Sequence, residues 1–194
     1  DKLVGINASG RAPYTMTLDA LNERLDKHDM NRISGIYSVS VPGAVDGWFE
    51  VLEKYGTMTM AEVLEPAIYY AEHGFPVSPI IAAAWRGLEE NQEPTTRAAL
   101  LLDGERAPRA GDVFRNADLA HTFRLLAEHG RDAFYKGQIA KSMVSFCQEQ
   151  GGLLSMEDLT DCHSRWQEPI STSYKGHTVS EAPPTSSRHV LLQA

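Results

Sequence analysis

Asn116-Ala-Asp-Leu-Ala-His-Thr-Phe-Arg-Leu-Leu-Ala-Glu-His-Gly130 carries the marks of an amphipathic helix from end to end. Asn116 offers a side-chain oxygen to the first unpaired amides. Leu119, Phe123, Leu126 and Ala127 recur at three- and four-residue spacing and define a buried stripe. His129 sits in the last turn, where a partly positive imidazole suits the negative helix end, and Gly130 stops the helix. Glu-His-Gly also occurs at 72–74. That recurrence reads as a second helix end with the same cap chemistry, not as an internal repeat.

Working outward, residues 137–150 read as a second amphipathic helix through Ile139, Met143, Val144 and Cys147. Ser155 and Asp158 have capping-box spacing ahead of a short helix. Past Arg165 the texture changes. Residues 170–174 and 177–181 alternate, and Gly176 between them predicts a hairpin. Upstream, Thr59 and Glu62 form another capping box, and Pro66 is expected to close that turn and open a new helix ending at Gly74. Ser78-Pro79 predicts an N-cap and first helical residue for 80–90, and residues 93–112 read as an exposed loop around one short helix at most. Residues 3–8 predict a short strand running into a turn at 10–13. Thr17 caps a helix through Leu18, Leu21 and Leu25. Residues 36–41 alternate as a strand, ended by Pro42-Gly43. Residues 44–55 form a helix with Val45, Trp48, Phe49 and Leu52 on its core face and Gly56 as a left-handed stop. Helices separated from short strands predict an α+β fold.

Composition narrows the function classes. The 194 residues are 42% hydrophobic and 23% charged, as in ordinary folded proteins. Asp and Glu number 26 against 18 Lys and Arg, a net charge of −8, which disfavours nucleic acid and anionic membrane surfaces as partners. No run approaches the length of a membrane-spanning helix. The opening Asp1-Lys2 and the apolar close at 190–194 lead to the expectation of an interior piece of a longer protein, read as a single fragment over 1–194.

The usual catalytic signatures fail. There is no nucleophile elbow, no phosphate-binding loop, no dinucleotide fingerprint and no zincin helix. The two cysteines show no metal-binding or redox spacing. Cys147 lies on an apolar stripe and reads as core, Cys162 has no neighbouring base in sequence, and a bridge between the two stays open. Asn7-Ala-Ser9 is formally a glycosylation sequon of a kind common by chance. Glu89-Glu90 and Asp26 with Asp29 read as solvated helix faces. No metal or organic cofactor is expected.

Seven blocks in order resemble the large subunit of the gamma-glutamyltranspeptidase family: SGRAP at 9–13, SVSVPGAVDGW at 38–48, LEPAIYYAEHGFPVS at 64–78, FRNADLAHTFRLLAEHGRDAFYKGQIA at 114–140, GGLLSMEDL at 151–159, EPISTSYKGHTV at 168–179, and PPTSS with LLQ at 183–193. The resemblance implies an N-terminal nucleophile hydrolase with an αββα sandwich, of which this chain would be mostly the helical part. It implies a proenzyme that cleaves itself into two subunits. The Thr that begins the small subunit would attack a gamma-glutamyl amide, its own α-amino group acting as base. It also implies two partners, that catalytic small subunit and a small-molecule gamma-glutamyl or acyl amide substrate. No threonine here matches the family nucleophile, so no residue of this chain is assigned a catalytic role, and the chain alone is expected to be inactive.

Two departures matter. True transpeptidases end a strand in R-E-x-A-P, whose Arg pairs with the substrate carboxylate; aligned on Ala12-Pro13, this sequence has Ser9 there. Arg11 follows two residues later, which on a strand would be the same face. Ser9 and Arg11 are therefore the candidate substrate-binding residues. Arg11 as a salt-bridged turn residue stands as the alternative. The S-G-R-A-P turn resembles the branch that includes cephalosporin-acylase-type enzymes. Ser187 and Arg188 stand where family members commonly have Gly. A non-catalytic helical relic of the family, and a free-standing enzyme with a Ser–His pair, are the competing readings. The compartment, cytoplasmic or periplasmic, is left open.

Overall fold

The computed structural model describes residues 2–25, 35–91, 93–183, Val190 and Leu192. Over these residues the chain is α+β, with helices predominating and the described strands paired two by two. It divides into two compact units, Asp1–Thr57 with Arg131–Ala194, and Met58–Gly130.

In the first unit, strand β1 (Gly5–Asn7) pairs antiparallel with a strand at Arg165–Gln167, Ile6 opposite Trp166. Helix α1 (Leu18–Arg24) starts at Thr17, whose Oγ1 accepts from the Ala20 amide. Helix α2 (Ala44–Tyr55) buries Val45, Asp46 and Gly47. In the second unit, α3 (Met60–His73) lies along α6 (Ala117–His129), and Arg124 bridges to Glu72. Between them in sequence come β2 (Phe75–Pro76), α4 (Pro79–Trp85), a 3₁₀ turn (Arg86–Glu90), α5 (Pro94–Leu100) and β3 (Val113–Phe114). β2 pairs with β3, Phe75 opposite Phe114, and a small core gathers Val77, Ala82 and Phe114 with Phe75, Trp85 and Leu102 against it. The chain then returns to the first unit through α7 (Arg131–Tyr135), α8 (Gln138–Glu149), α9 (Met156–Thr160) and β4 (Arg165–Gln167). The hairpin β5 (Ile170–Tyr174) and β6 (His177–Glu181) completes it, turning on Lys175 (φ 47°) and Gly176 (φ 82°) as a primed turn requires.

Side-chain caps sit where the sequence places them. The Asn116 side chain accepts from Leu119, that of Ser78 from Ile81, and both capping boxes are closed. Gly74 and Gly130 end their helices at positive φ, 92° and 70°. Of the cysteines, Cys147 is core, and both it and Cys162 are buried free thiols.

Six expectations are corrected. Residues 36–41 form no strand: Gly35–Ser38 is a 3₁₀ turn held by Ser38 Oγ donating to Gly35 O, and Val41 makes a single backbone bond to Arg11 O. Alternation without a partner ladder does not make a strand. Pro66 does not break the chain either, because α3 runs through it. The missing amide costs about 3 kcal/mol, and the capping box, the Gly74 stop and packing along α6 offset it. Gly56 is extended (φ −77°, ψ 158°), not left-handed. Trp48 is 45% exposed where a core position was expected, since the buried side of α2 is Val45, as expected, with Asp46 and Gly47. Leu119 is likewise exposed, the α6 interior being Ala120 and Leu126. In the 93–112 loop, Leu101, Ala107 and Pro108 are buried. Asp26, Asp29 and the Ser187-Arg188 pair lie outside the described residues.

Candidate functional site

The SGRAP and VPGAVDGW blocks meet in space. The Val41 amide donates to Arg11 O at 2.9 Å. Gly10 lies so close to residue 41 that an added Cβ would stand 1.4 Å from Val41 O. A Cβ on Gly43 would come within 2.3 Å of Ala8 O, and one on Gly47 within 2.6 Å of Ala8 Cβ. Three glycines thus let two backbones touch where no side chain fits. Their place in these motifs is a packing requirement of the segment at 8–11.

Two buried aspartates hold this seam. Asp158, at the third position of α9, is completely buried. Its Oδ2 accepts from Ser155 N (2.9 Å) and Ser155 Oγ (2.7 Å), closing the capping box. Its Oδ1 accepts from Tyr14 N (2.8 Å) and Arg11 Nη1 (2.9 Å). Burial alone would raise this carboxyl. The bonds from Ser155, Tyr14 and Arg11 outweigh it and hold the group below the ordinary aspartate value. The Arg11 guanidinium lies 3.3 Å over the Tyr14 ring and also donates to Ala12 O. Arg11 is therefore an oriented cation, locked to the helix α9 box.

Asp46 is the second anchor. It is 1% exposed and accepts from Arg131 Nε and the Ser164 amide, while Arg131 Nη2 donates to Cys162 O. Here too burial pushes up and the Ser164 and Arg131 bonds pull further down. Beside it, Tyr135 accepts from Asp46 N (2.9 Å) and donates to Pro42 O (2.8 Å), so one hydroxyl pins both ends of the Pro42–Asp46 bend. Burial raises the Tyr135 phenol and keeps it protonated. It also raises the Cys162 thiol, the opposite of what a nucleophile needs.

Ser9 and Arg11 lie in the irregular segment between β1 and the turn at Tyr14-Thr15. They lie beyond the end of β1, so strand alternation does not govern their facing. Ser9 is exposed, and its amide donates to Asn7 Oδ1, which engages the sequon Asn in a local turn. Trp166 packs edge-on against Tyr55, with Lys54 Nζ 3.8 Å from the ring centroid, and donates to Glu50. These contacts give the ring a structural role. Sequence reasoning missed Asp46, Arg131 and Tyr135. The available sign was a carboxylate between Val45 and Gly47, at positions that turned out to be the buried side of α2.

Chemically, the seam supplies a guanidinium held by Asp158 and, two residues earlier in the chain, an exposed serine. Among the described residues no group of three or more His, Cys, Asp or Glu is placed to hold a metal ion.

Comparison with known proteins gives a consistent picture. The gamma-glutamyltranspeptidase family profile matches residues 1–194. The chain is 38% identical over 186 residues to the glutathione hydrolase-like YwrD proenzyme of Bacillus subtilis (strain 168), covering 93% of this chain and 34% of that protein. It is 34% identical to the acylase ACY 1 proenzyme of Pseudomonas sp. (strain SE83), covering 92% and 32% respectively. Among solved structures, cephalosporin acylase from Bacillus halodurans superposes with a TM-score of 0.86 at 36% identity, over 94% of this chain and 35% of that one. Helicobacter pylori gamma-glutamyltranspeptidase gives 0.86 at 29% identity, over 95% and 54%. The chain spans about a third of the length of the curated relatives it matches.

Proposed function

The chain belongs to the gamma-glutamyltranspeptidase family, and from that premise we propose that it is the large-subunit part of a self-processing amidohydrolase or acyltransferase. Its α+β fold is that of the family's N-terminal nucleophile hydrolases. The attacking hydroxyl comes from a Thr that begins a companion segment of the same precursor. That Thr adds to the carbonyl of a gamma-glutamyl or related acyl amide, its α-amino group taking the proton. The amine leaves, and water or an acceptor amine resolves the acyl-enzyme. Backbone donors in the companion segment stabilise the two tetrahedral intermediates.

Within this scheme the seam forms a wall of the acyl pocket. Arg11 faces the acyl donor's carboxylate and Ser9 borders it, with Asp158 as the positioning residue that orients the guanidinium. The observation that carries the proposal is the meeting of the 9–13 and 38–48 blocks around buried aspartates in a chain matched end to end by the family. The similarity to acylases as well as glutathione hydrolases supports an acyl donor broader than gamma-glutamyl.

The test is the complete gene product. It should run as two pieces on a denaturing gel and release the chromophore from a gamma-glutamyl or glutaryl anilide. Ala in place of the Thr at the new N-terminus should leave one piece and no release. An uncleaved product without turnover removes the proposal, as does turnover by residues 1–194 alone. Arg11→Lys keeps the charge toward Asp158 but loses the guanidinium fork. A raised KM with an unchanged melting temperature supports substrate contact, and an unchanged KM on every acyl group makes Arg11 purely structural.

A further inference from the structure

In the unit of residues 58–130, a cleft of about 590 Å³ opens between the α4 and 3₁₀ segment on one side and residues 106–110 on the other. Arg86 lines the first wall, Arg106 and Arg109 the second, and Ala82 and Pro108, both buried, lie at its base. The walls are fixed to each other and to the core. The Ala107 amide donates to Glu89 Oε1 (2.8 Å), Gly111 N to Val77 O (2.9 Å) and Val77 N to Asp112 O (2.9 Å).

The charges in this cleft are unequally satisfied. Arg106 is paired to Asp112 Oδ2 at 2.6 Å, and the same oxygen accepts the Arg109 amide. The Arg86 guanidinium has no hydrogen bond or ion pair among the described residues, and that of Arg109 has none either but acts on the nearby Asp112 carboxylate through its charge. Arg97 shows what a structural arginine looks like nearby. Its guanidinium donates to the carbonyls of Glu89, Asn91 and Glu105. Two guanidinium forks without a hydrogen-bond partner therefore stand on opposite walls of the cleft, whose lining also includes the Glu89 carboxylate held by the Ala107 amide.

We propose that this cleft binds a small dicarboxylate, one carboxylate on Arg86 and the other on Arg109. A single exposed ion pair in water is worth little, about 0–1 kcal/mol. A ligand reaching both walls makes its second contact intramolecularly, and Arg meets carboxylate in a two-point geometry. The site lies on residues separate from the Arg11 seam, and its existence does not depend on the activity proposed above.

Isothermal titration of the full-length product at low ionic strength tests it, with glutarate, propionate and inorganic phosphate as probes. Glutarate should bind saturably and weaken at least tenfold, about 1.4 kcal/mol, in Arg86→Gln/Arg109→Gln. Propionate should bind at least tenfold more weakly than glutarate, and added salt should loosen the complex. Arg124→Gln, whose partner is Glu72, should leave glutarate binding unchanged. The exposed single variant Arg86→Gln, checked for an unaltered melting temperature, carries the same test if the double variant does not fold. Glutarate affinity unchanged in these cleft variants overturns the proposal, because any binding then belongs elsewhere. Saturable phosphate binding without glutarate binding also overturns it, as does no saturable glutarate binding at all.

Discussion

Replacing Arg131 by Met isolates the Asp46 anchor. In the native fold Arg131 is mostly buried and its guanidinium bridges Asp46 Oδ1 and Cys162 O. Without it, a carboxylate that is 1% exposed keeps, among the described residues, the Ser164 amide as the donor to its oxygens. Breaking a buried pair by removing one partner costs about 3–5 kcal/mol, and the orphaned Cys162 carbonyl adds about 1 kcal/mol. With a urea dependence near 2 kcal/mol per molar, the midpoint should fall by about 2–3 M. Acid changes this loss in a defined direction. In the wild type Asp46 lies below its ordinary 3.8, so its contribution is full above that value and fades as pH drops through the folded value. In Arg131→Met burial acts on Asp46 with the guanidinium gone, which raises the carboxyl. The penalty is then present at neutral pH and disappears as the group takes up a proton. The gap between the two proteins should therefore narrow on acidification. Asp46→Asn combined with Arg131→Met buries no charge and should recover much of the stability. A midpoint shift below about 0.5 M, or a double variant no more stable than Arg131→Met, refutes the reasoning.

Other outcomes follow from particular contacts. Gly10→Ala drives a Cβ to 1.4 Å from Val41 O and should cost at least about 3 kcal/mol or abolish folding, read as melting temperature. Gly87→Ala meets nothing within 4 Å and should be neutral or gain about 0.5 kcal/mol. Thr59→Ala opens the α3 capping box and should lower stability by about 1 kcal/mol; an unchanged urea midpoint contradicts the cap's role. Glu93, whose carboxylate accepts from Thr95 and Thr96, should titrate near 2 by carbon NMR rather than at 4.5. Its contribution is present above 4.5 and lost as pH falls towards 2. Cys147 and Cys162 should resist alkylation in the native protein and react once it is unfolded.

The local chemistry was readable along the chain. Thr17, Thr59, Ser78, Asn116 and Ser155 each satisfy an amide within three residues, so their identity suffices to place a helix start. The 170–181 hairpin was readable for the same reason, its turn being two residues long. The motif blocks carried the family and pointed to Ser9 and Arg11 as a turn worth examining. Tertiary structure alone decided the rest. Strand β1 is three residues long and exists as a strand because Arg165–Gln167 lies beside it. Residues 36–41 alternate just as well but meet no such partner. Pro66 stays inside a helix because packing along α6 and both caps outweigh one lost hydrogen bond. Asp46 with Arg131, and Arg11 with Asp158, join residues 85 and 147 positions apart. A cap is a contact between near neighbours, whose closure costs little entropy whatever the rest of the chain does. A buried ion pair forms only after the chain has folded around it, so nothing in the flanking residues announces it.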